Sequence, residues 1–366
     1  RILRIGAYQL IFLERIPNRA VVSEAVEQTR RFHLSRFSGL ANAVLRRIAE
    51  QDPKSVIPEA DDTSGSIGDM AVRVGLPPWL VRRIVGAYGR ERAVAIANSY
   101  NQPSKRTLRV NTNHLARAKL LDSLGEHATP GVFSPWAVHV ANPKAALDTI
   151  ENGSAVYQDE GAQLIALALN PKPKERILDA CAGRGGKTSA LAMMANGEAE
   201  IVASDRGANK LERLTFELDR QGFTAETAVV DLTNPAPDNP LHGPFQKILL
   251  DAPCSGTGTM GRRPEIRWRL NRTAITSLVQ VQSKLLDSVA DLLAPGGHLV
   301  YAVCSILPEE GSIQIASFMN RQPGFAFSTT PPPEWPEHIP WNNGVVFIDP
   351  SVCQTDGYQI ASLVKK

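Results

Sequence analysis

The sequence predicts an α/β protein built around a doubly wound sheet, with an all-α segment and a small α+β module before it. Short apolar runs alternate with helical patterns over residues 151–366, as they do in sheets that carry helices on both faces. A Gly-rich turn also joins one apolar run directly to a helix, and open α/β sheets bind ligands at such turns. We therefore expect three domains, over residues 1–58, 69–150 and 151–366.

The composition is that of an ordinary globular protein, but its charge is unevenly spread. Of the 366 residues, 43% are hydrophobic and 21% are charged, and the formal net charge is only +3. Residues 1–50 contain nine Arg and no Lys against four Glu, and residues 71–119 contain ten basic residues against Glu91. This uneven distribution favours an N-terminal region that binds a polyanion, followed by a catalytic region in which positive and negative charges are more nearly equal. Solvated helix faces would explain the same charges.

Cysteine usage and hydropathy indicate a cytoplasmic protein. The four cysteines, at positions 181, 254, 304 and 353, show neither CxxC spacing nor a disulfide framework, so we expect reduced thiols. No run approaches the ~18 apolar residues of a membrane span, and we expect neither membrane association nor a secretory signal. Because the chain begins at Arg1 inside a helical pattern, we expect part of the natural N-terminus to be missing.

The first domain is predicted to be a small all-α unit. Residues 2–13 indicate a largely buried helix, and apolar stripes at residues 21–26 and 40–48 indicate two more. Residues 57–69 are rich in Pro, Asp, Ser, Thr and Gly, which is typical of a linker.

The middle module is predicted to mix helices with short strands. A helix is expected after Pro77-Pro78, because Pro is favoured at the first helical position, and another over residues 93–97. Residues 107–111 and 138–140 indicate strands on either side of a helix at 115–124. The result is a small α+β module with a basic surface.

The Gly-rich turn excludes two common nucleotide motifs. Gly183, Gly185 and Gly186 let a ligand approach the backbone closely. A phosphate-binding P-loop needs glycine where Cys181 stands, and the dinucleotide pattern needs glycine where Thr188 stands. A nucleoside-type pocket of another kind remains.

Four apolar runs end at an acid, and together they favour a methyltransferase. Any one of these acids alone would most simply be a solvated residue after a strand. In series around a Gly-rich turn they indicate a binding edge, where Asp205 could accept two ribose hydroxyls. A protein that binds S-adenosylmethionine fits this pattern better than a dehydrogenase. The four acids are Asp179, Asp205, Asp231 and Asp251.

Two cysteines also follow apolar runs, so their thiols should reach the same edge. An isolated cysteine is usually a small hydrophobic residue, but Cys254 and Cys304 both stand at predicted strand exits, the second after a long helix at 277–293. A thiolate that adds to pyrimidine C6 makes C5 nucleophilic enough to attack a methyl group. A base must then remove the C5 proton, and a carboxyl such as Asp251 could assist at N3. The target base must be single-stranded or flipped out.

Four motifs resemble those of RNA cytosine-C5 methyltransferases. They are Asp179-Ala-Cys-Ala-Gly-Arg-Gly-Gly-Lys-Thr188, Asp251-Ala-Pro-Cys-Ser-Gly256, Arg263-Pro-Glu-Ile-Arg-Trp268 and Tyr301-Ala-Val-Cys-Ser-Ile-Leu-Pro-Glu-Glu310. The stretch from Tyr8-Gln9-Leu10 through Asn42-Ala-Val-Leu-Arg46 resembles the NusB-like domain of the bacterial 16S rRNA enzymes of the Fmu/Sun type. Their middle RNA-binding module is similar to Trp79-Leu80, Asn101-Gln102-Pro103 and Leu108-Arg-Val-Asn111. The resemblance covers nearly the whole chain.

This resemblance implies a Rossmann-like, S-adenosylmethionine-dependent methyltransferase domain and assigns its residues. The cysteine of the Cys-Ser motif, here Cys304, is the family's nucleophile, and the Pro-Cys cysteine, here Cys254, assists product release. Chemistry alone leaves Cys254 as a rival nucleophile, because DNA cytosine methyltransferases use a Pro-Cys cysteine. Asp251 and Lys187 are implied in catalysis. Cofactor contacts are implied for Cys181, Ala182, Gly183, Arg184, Gly185, Gly186, Lys187, Asp205, Asp231 and Asp251.

The implied partner is 16S rRNA, bound by a monomer without a metal. A basic run after the Pro-Cys motif is expected to contact the RNA backbone, and it comprises Arg262, Arg263, Arg267, Arg269 and Arg272. The Gly-rich turn departs from the family's pattern at two positions, where the family has Ala-Pro and this chain has Gly183-Arg184. We expect this chain to bind the cofactor despite the difference. Two alternatives stay open: the same chemistry on tRNA or another RNA, and a non-catalytic RNA-binding or assembly factor.

Overall fold

The computed structural model describes residues 1–52, 63–236 and 239–366, which belong to two compact units, Arg1–Gly75 and Leu76–Lys366. The described part of the first unit is helical, as predicted. Its helices are α1 (Ile2–Phe12), α2 (Asn18–Arg31), α3 (Ser38–Ala49) and α4 (Ile67–Val74). Val22, Ala25 and Leu45, from α2 and α3, form its core, and apolar side chains of α1 pack around them.

Two predictions for the first unit are wrong. Helix α1 is not largely buried, because only Gly6 is inaccessible while Ile5, Tyr8 and Phe12 are 52–55% exposed. The predicted linker at 57–69 lies partly outside the described residues, over 57–62, and its last three residues are helical. Helix α4 begins there because Ser66 and Asp69 bond each other's backbone N–H groups in a capping box.

The second unit begins with the predicted α+β module. Its antiparallel sheet has the strand order β2-β3-β1-β4, and its core lies between this sheet and α7. The predicted strands at 107–111 and 138–140 and the predicted helices are confirmed, whereas β2 and β4 were not predicted. The elements are α5 (Pro78–Tyr88), α6 (Arg90–Ser99), β1 (Thr107–Val110), α7 (Arg117–Leu124), β2 (Ala128–Pro130), β3 (Ala137–Val140), α8 (Leu147–Glu151) and β4 (Ala155–Tyr157).

The larger sheet follows in the same unit, and its strand order is β10-β12-β9-β8-β5-β6-β7, with β11 paired to β12. Strands β9, β8, β5, β6 and β7 run parallel to one another. The first elements are α9 (Glu160–Leu169), β5 (Arg176–Asp179), α10 (Gly186–Met194), β6 (Glu200–Asp205), α11 (Ala208–Arg220), β7 (Glu226–Val229) and β8 (Phe245–Asp251). The remaining ones are α12 (Ile266–Arg269), α13 (Arg272–Leu292), β9 (Leu293–Val303), α14 (Ser312–Arg321), β10 (Phe325–Phe327), β11 (Val345–Ile348), α15 (Pro350–Cys353) and β12 (Tyr358–Lys365).

Helices cover both faces of this sheet, which confirms the doubly wound prediction. Along β5, Ile177 packs with α9, α10 and α11, and the next residue, Leu178, packs with α13 and α14. Residues of β9 alternate between the same two clusters. Successive side chains of a strand point to opposite faces. Because both faces of these central strands are buried, their sequences are continuous runs of apolar residues.

The C-terminal part of the sheet is antiparallel. Strand β12 pairs with β9 on one side and with β10 on the other, antiparallel to both. The predicted last strand at 358–364 is therefore confirmed. Strand β9 begins earlier than the predicted His298, because Leu293 already pairs with Phe245 of β8.

Candidate active site

The predicted acids and thiols meet at one edge of the large sheet. Strands β8, β5 and β6 are parallel neighbours, so Asp251, Asp179 and Asp205 leave the sheet on the same side. Strand β9 is the next parallel neighbour of β8, and Cys304 follows it directly. The convergence expected at this edge is confirmed.

The Gly-rich turn between β5 and α10 needs glycine at two positions. Gly183 and Gly185 have φ angles of +58° and +83°, in the left-handed region. A Cβ at Gly185 would lie 2.8 Å from Cγ of Leu214, so this glycine lets α11 pack against the turn. At Gly183 the nearest atom to a Cβ would be the Cys181 oxygen at 4.0 Å. The turn is therefore roomy at Gly183, and the neighbouring Arg184 side chain is exposed.

Asp205 holds this turn from the next strand. Its Oδ2 accepts a hydrogen bond from the Gly183 N–H at 3.2 Å, and its Oδ1 accepts one from the Gly207 N–H at 2.9 Å. Lys210 Nζ lies 3.0 Å from both oxygens. The carboxylate is nearly buried and already ordered at the mouth of the turn.

Asp179 is buried beneath the turn. Thr188 Oγ1 donates a hydrogen bond to its Oδ2 at 2.7 Å, while its buried Oδ1 has no partner in the part of the chain that is described. Burial raises the pKa of Asp179 to about 7, against the effect of the Thr188 hydrogen bond. An unpartnered buried acceptor at this position suits a ligand that can donate a hydrogen bond.

Asp231 and Cys181, which were also predicted to contact the cofactor, have surroundings unlike those of Asp205 and Asp179. Asp231 is exposed beyond β7, and its hydrogen bonds from the Thr233 hydroxyl and N–H lower its pKa. Burial raises the pKa of the Cys181 thiol, and the nearby acids raise it further. Cys181 therefore lines the turn as a protonated thiol, beside the buried Ala182.

Lys187 and Asp251 form an ion pair next to the thiols. Nζ of Lys187 lies 2.6 Å from Oδ2 of Asp251. Burial alone would lower the pKa of Lys187, but Asp251 and Cys304 outweigh it and the net pKa is raised. Lys187 therefore stays charged, where it can stabilise a thiolate at Cys304.

Cys254 and Cys304 are in contact, with 3.3 Å between their sulfur atoms. The hydrogen bond with Cys304, then burial, then nearby negative charges raise the pKa of Cys254 well above its usual value. Cys254 therefore keeps its proton, and the two thiols can form a hydrogen bond in which either sulfur is the donor.

Arg109 supports the turn from the small sheet, and sequence reasoning missed this role. Its guanidinium is fully buried and donates to the Gly186 carbonyl at 2.8 Å, and to Gln158, Ser189 and Gln221. Burial lowers its pKa to about 9. The motif Leu108-Arg-Val-Asn111 was compared with the family's middle module as a whole, and within it Arg109 joins β1 to the first turn of α10.

Some arginines of the basic run after Cys254 bond to the protein itself, and the others are exposed to solvent. Arg262 lies 2.8 Å from Asp159 and 3.2 Å from Asp356, and Arg267 donates to the Tyr100 carbonyl at 2.9 Å. Burial and Asp159 raise the pKa of Asp356 to about 7, although Arg262 opposes them. Arg262 and Arg267 thus bond to other segments of the protein chain. The predicted contacts with RNA phosphates therefore rest on the three other arginines of the run, Arg263, Arg269 and Arg272, which are exposed.

Two features are absent from the part of the chain that the structure describes. No group of three or more His, Cys, Asp or Glu side chains is placed to hold a metal ion. No described helix is both long and apolar enough to cross a membrane.

A doubly wound sheet with this turn, these acids and a thiol pair defines an S-adenosylmethionine-dependent methyltransferase of the Rossmann-like class. The family described as 16S rRNA methyltransferase RsmB/F matches residues 166–364, and this chain belongs to it. Residues 1–50 match the NusB family, and residues 76–146 match the ferredoxin-like domain of RsmF/B-type methyltransferases. The resemblance inferred from the motifs is confirmed.

Individual relatives agree with this family. A protein of Escherichia coli named "Ribosomal RNA small subunit methyltransferase B" is 35% identical over all of this chain and 82% of its own length. A Bacillus subtilis protein named "Probable ribosomal RNA small subunit methyltransferase B" is 32% identical with the same coverage. The crystal structure of a methyltransferase homolog protein from Pyrococcus horikoshii is 27% identical, with a TM-score of 0.69 over 83% of this chain and 100% of that one.

Proposed function

We propose that this protein transfers a methyl group from S-adenosylmethionine to C5 of a specific cytosine in 16S rRNA, through a covalent adduct between cysteine and C6. The observation that carries the proposal is the pair of thiols 3.3 Å apart, with the Lys187–Asp251 ion pair beside them. A methyltransferase acting on a nucleophilic N or O atom has no need of a thiol, whereas C5 of a pyrimidine needs one. The names of the relatives support rRNA as the substrate.

The edge of the sheet suits S-adenosylmethionine. The roomy turn at Gly183 and the unpartnered Asp179 oxygen offer space and an acceptor, and Asp205 is ordered for ribose hydroxyls. The contacts are proposed from Cys181 to Lys187 and from Asp205, Asp231 and Asp251. When bound, S-adenosylmethionine supplies an electrophilic methyl group on a positively charged sulfur. The site needs no metal in this proposal.

The first step belongs to Cys304, Lys187 and Asp251. The Cys304 thiolate, held near the Lys187 ammonium, forms a bond to C6 of the flipped-out cytosine. The C5–C6 π electrons move toward C4 and N3, where the Asp251 carboxyl, in its protonated form, donates a hydrogen bond to N3 and stabilises them. C5 thereby becomes the nucleophile that takes up the methyl group.

The second step belongs to Cys254. Its raised pKa depends first on the hydrogen bond with Cys304, and that bond is lost once the Cys304 sulfur is bonded to C6. Cys254 can then pass its own proton to water and, as a thiolate, remove the C5 proton. The C5–C6 double bond re-forms and the Cys304 thiolate leaves, so the methylated base is released.

The other parts of the chain are proposed to bind the RNA. Residues 1–58 and 69–150 carry the basic excess, and an rRNA substrate is consistent with a cytoplasmic monomer. The NusB and ferredoxin-like matches cover these regions.

Methyl transfer from labelled S-adenosylmethionine to protein-free 16S rRNA tests the proposal, with the product mapped by bisulfite treatment. One newly bisulfite-resistant cytosine is the expected result. Label on a bisulfite-sensitive base would disprove C5 chemistry, and label on tRNA alone would replace the substrate. Binding of S-adenosylmethionine without transfer to any RNA would favour a non-catalytic assembly factor.

A further inference from the structure

Each of the two cysteines is followed by a serine, and one buried carboxylate binds both serines. Oε1 of Glu310 accepts a hydrogen bond from the Ser255 N–H at 2.8 Å, and Oε2 accepts one from the Ser305 hydroxyl at 2.6 Å. Oε2 also accepts from the Ser255 hydroxyl. Glu310 thus joins the segment after Cys254 to the segment after Cys304.

This carboxylate is held firmly at its own position. Its side chain is fully inaccessible to solvent. The side-chain amide of Gln282 in α13 donates a further hydrogen bond to Oε1 at 3.1 Å. The hydroxyl of Tyr301 in β9 donates to the Glu310 main-chain carbonyl at 2.6 Å. No ion pair among the described residues includes Glu310. A buried carboxylate satisfied only by neutral donors depends on their geometry, and charge-assisted hydrogen bonds fix that geometry strongly.

Further hydrogen bonds show that the two segments meet closely. Thr257 Oγ1 lies 2.9 Å from Ser305 Oγ, and the Ile306 N–H donates to Thr257 Oγ1 at 3.1 Å. The Gly258 N–H donates to the Cys304 carbonyl at 3.0 Å. The carboxylate is the one charged group at the centre of this described network.

We propose that Glu310 is a positioning residue that sets the contact between the Cys254 and Cys304 thiols by holding the serine that follows each of them. The inference rests on the proposed function for its effect on catalysis, but not for its effect on thiol geometry. Reacting groups must be placed to within a fraction of an ångström, so loss of this carboxylate should lower the catalytic rate without removing either thiol.

The test uses Glu310→Gln with Glu309→Gln as its matched control. An amide has one acceptor oxygen and an NH₂ group, so it cannot accept the hydrogen bonds of both serines and Gln282. Glu309 is the adjacent residue, but its carboxylate pairs with Arg83 at 2.8 Å. In the full-length protein, Glu310→Gln should lower kcat for RNA methylation about tenfold or more, while KM for RNA changes little. Glu309→Gln should behave like the wild type.

A second readout measures the thiols without RNA. Diamide oxidises two adjacent thiols to a disulfide, and the two electrons and two protons go to its N=N bond, which becomes a hydrazine. The rate of Cys254–Cys304 disulfide formation, followed by peptide mass spectrometry, should fall about fivefold or more in Glu310→Gln, since correctly placed groups react fastest. A wild-type rate in Glu310→Gln would overturn the proposal, even if kcat falls. If no RNA is methylated by the wild type but the disulfide rate still falls, the proposed function fails and the role of Glu310 stands.

Ser305→Ala keeps the test decisive if Glu310→Gln does not fold. It removes one hydroxyl donor to Glu310 and leaves the carboxylate in place. We expect a smaller loss of both kcat and disulfide rate, with a normal melting temperature. Unchanged values of both quantities would overturn the proposal.

Discussion

At the scale of single residues, the two thiols should give different phenotypes when they are replaced. Cys304→Ala should abolish methyl transfer, because no sulfur remains to add to C6. Cys254→Ala should instead accumulate a covalent protein–RNA adduct that survives denaturing electrophoresis, because the step that releases Cys304 is blocked.

Cys353→Ala serves as the control for these variants, since this half-buried cysteine is the last residue of α15 and packs against the apolar cluster of α9 to α11. It should retain wild-type activity. Accumulation of the adduct in Cys304→Ala would reverse the assignment and make Cys254 the nucleophile.

Asp179 should make the protein less stable as the pH rises. Its folded pKa, about 7, is above the ordinary 3.8, so the folded state binds more protons than the unfolded state between these values. The free energy of unfolding therefore falls as the pH rises from about 4 to 7 and then levels off. Asp179→Asn should remove this dependence, and its advantage over the wild type should reach a few kcal/mol above pH 7.

Urea denaturation at several pH values checks this prediction. Asp231→Asn is the matched control, because Asp231 is the exposed acid beyond another strand of the same sheet and its pKa is lowered. A stability difference between Asp179→Asn and the wild type that does not vary with pH would contradict the prediction.

Sequence reasoning located the candidate residues at the edge of the sheet but not their partners. Asp251 and Cys304 could be located because each follows an apolar run that looks like a strand. The Lys187–Asp251 ion pair joins residues 64 positions apart, and Arg109 lies 77 positions from the Gly186 carbonyl. Such pairs depend on strand order, which hydrophobic periodicity does not reveal.

At the scale of secondary-structure elements, Arg109 should be important for the contact between β1 and α10. Arg109→Met removes the charge but leaves the Gly186 carbonyl, Gln158, Ser189 and Gln221 without their donor. We expect a loss of about 2–4 kcal/mol in unfolding free energy, because buried acceptors lose their hydrogen bonds. The affinity for S-adenosylhomocysteine should fall as well, since the first turn of α10 loses its support.

Arg106→Met is the control for this variant, because Arg106 lies just before β1 and is exposed. Chemical denaturation and calorimetric titration measure the two quantities. Equal stability of the two variants would show that Arg109 does not stabilise this contact.

The long elements were predictable and the shortest strands were not. Helices α9 and α13 show clear apolar patterns, and the central strands are apolar on both faces. Strands β2, β4 and β10 have three residues each, which is too short for an alternating pattern to be recognised. The predicted burial of α1 failed for another reason: an apolar pattern shows which side of a helix is hydrophobic, but not whether another element covers it.

At the scale of the whole molecule, cofactor binding and RNA binding should be separable. All candidate cofactor residues lie between Asp179 and Asp251, within the second unit. Deletion of residues 1–75 should therefore leave the affinity for S-adenosylhomocysteine within about twofold. It removes the nine arginines of residues 1–50, so the affinity for 16S rRNA should fall and depend less steeply on salt.

Calorimetry and filter binding at several salt concentrations measure these two effects. An unchanged salt dependence would show that the first unit does not contribute phosphate contacts. Loss of S-adenosylhomocysteine binding would show that the second unit needs the first.

The antiparallel strand β12 has a consequence for how the enzyme is made. It lies between β9 and β10, and Gln359 within it donates to the carbonyls of Ser305 and Leu307, next to the proposed nucleophile. A nascent chain leaves the ribosome from its N-terminus, so the NusB-like and ferredoxin-like parts emerge long before this strand does. The segment that carries Cys304 therefore acquires its final support only when residues 358–365 emerge, and under the proposed function a partly synthesised chain would bind RNA before it is able to modify it.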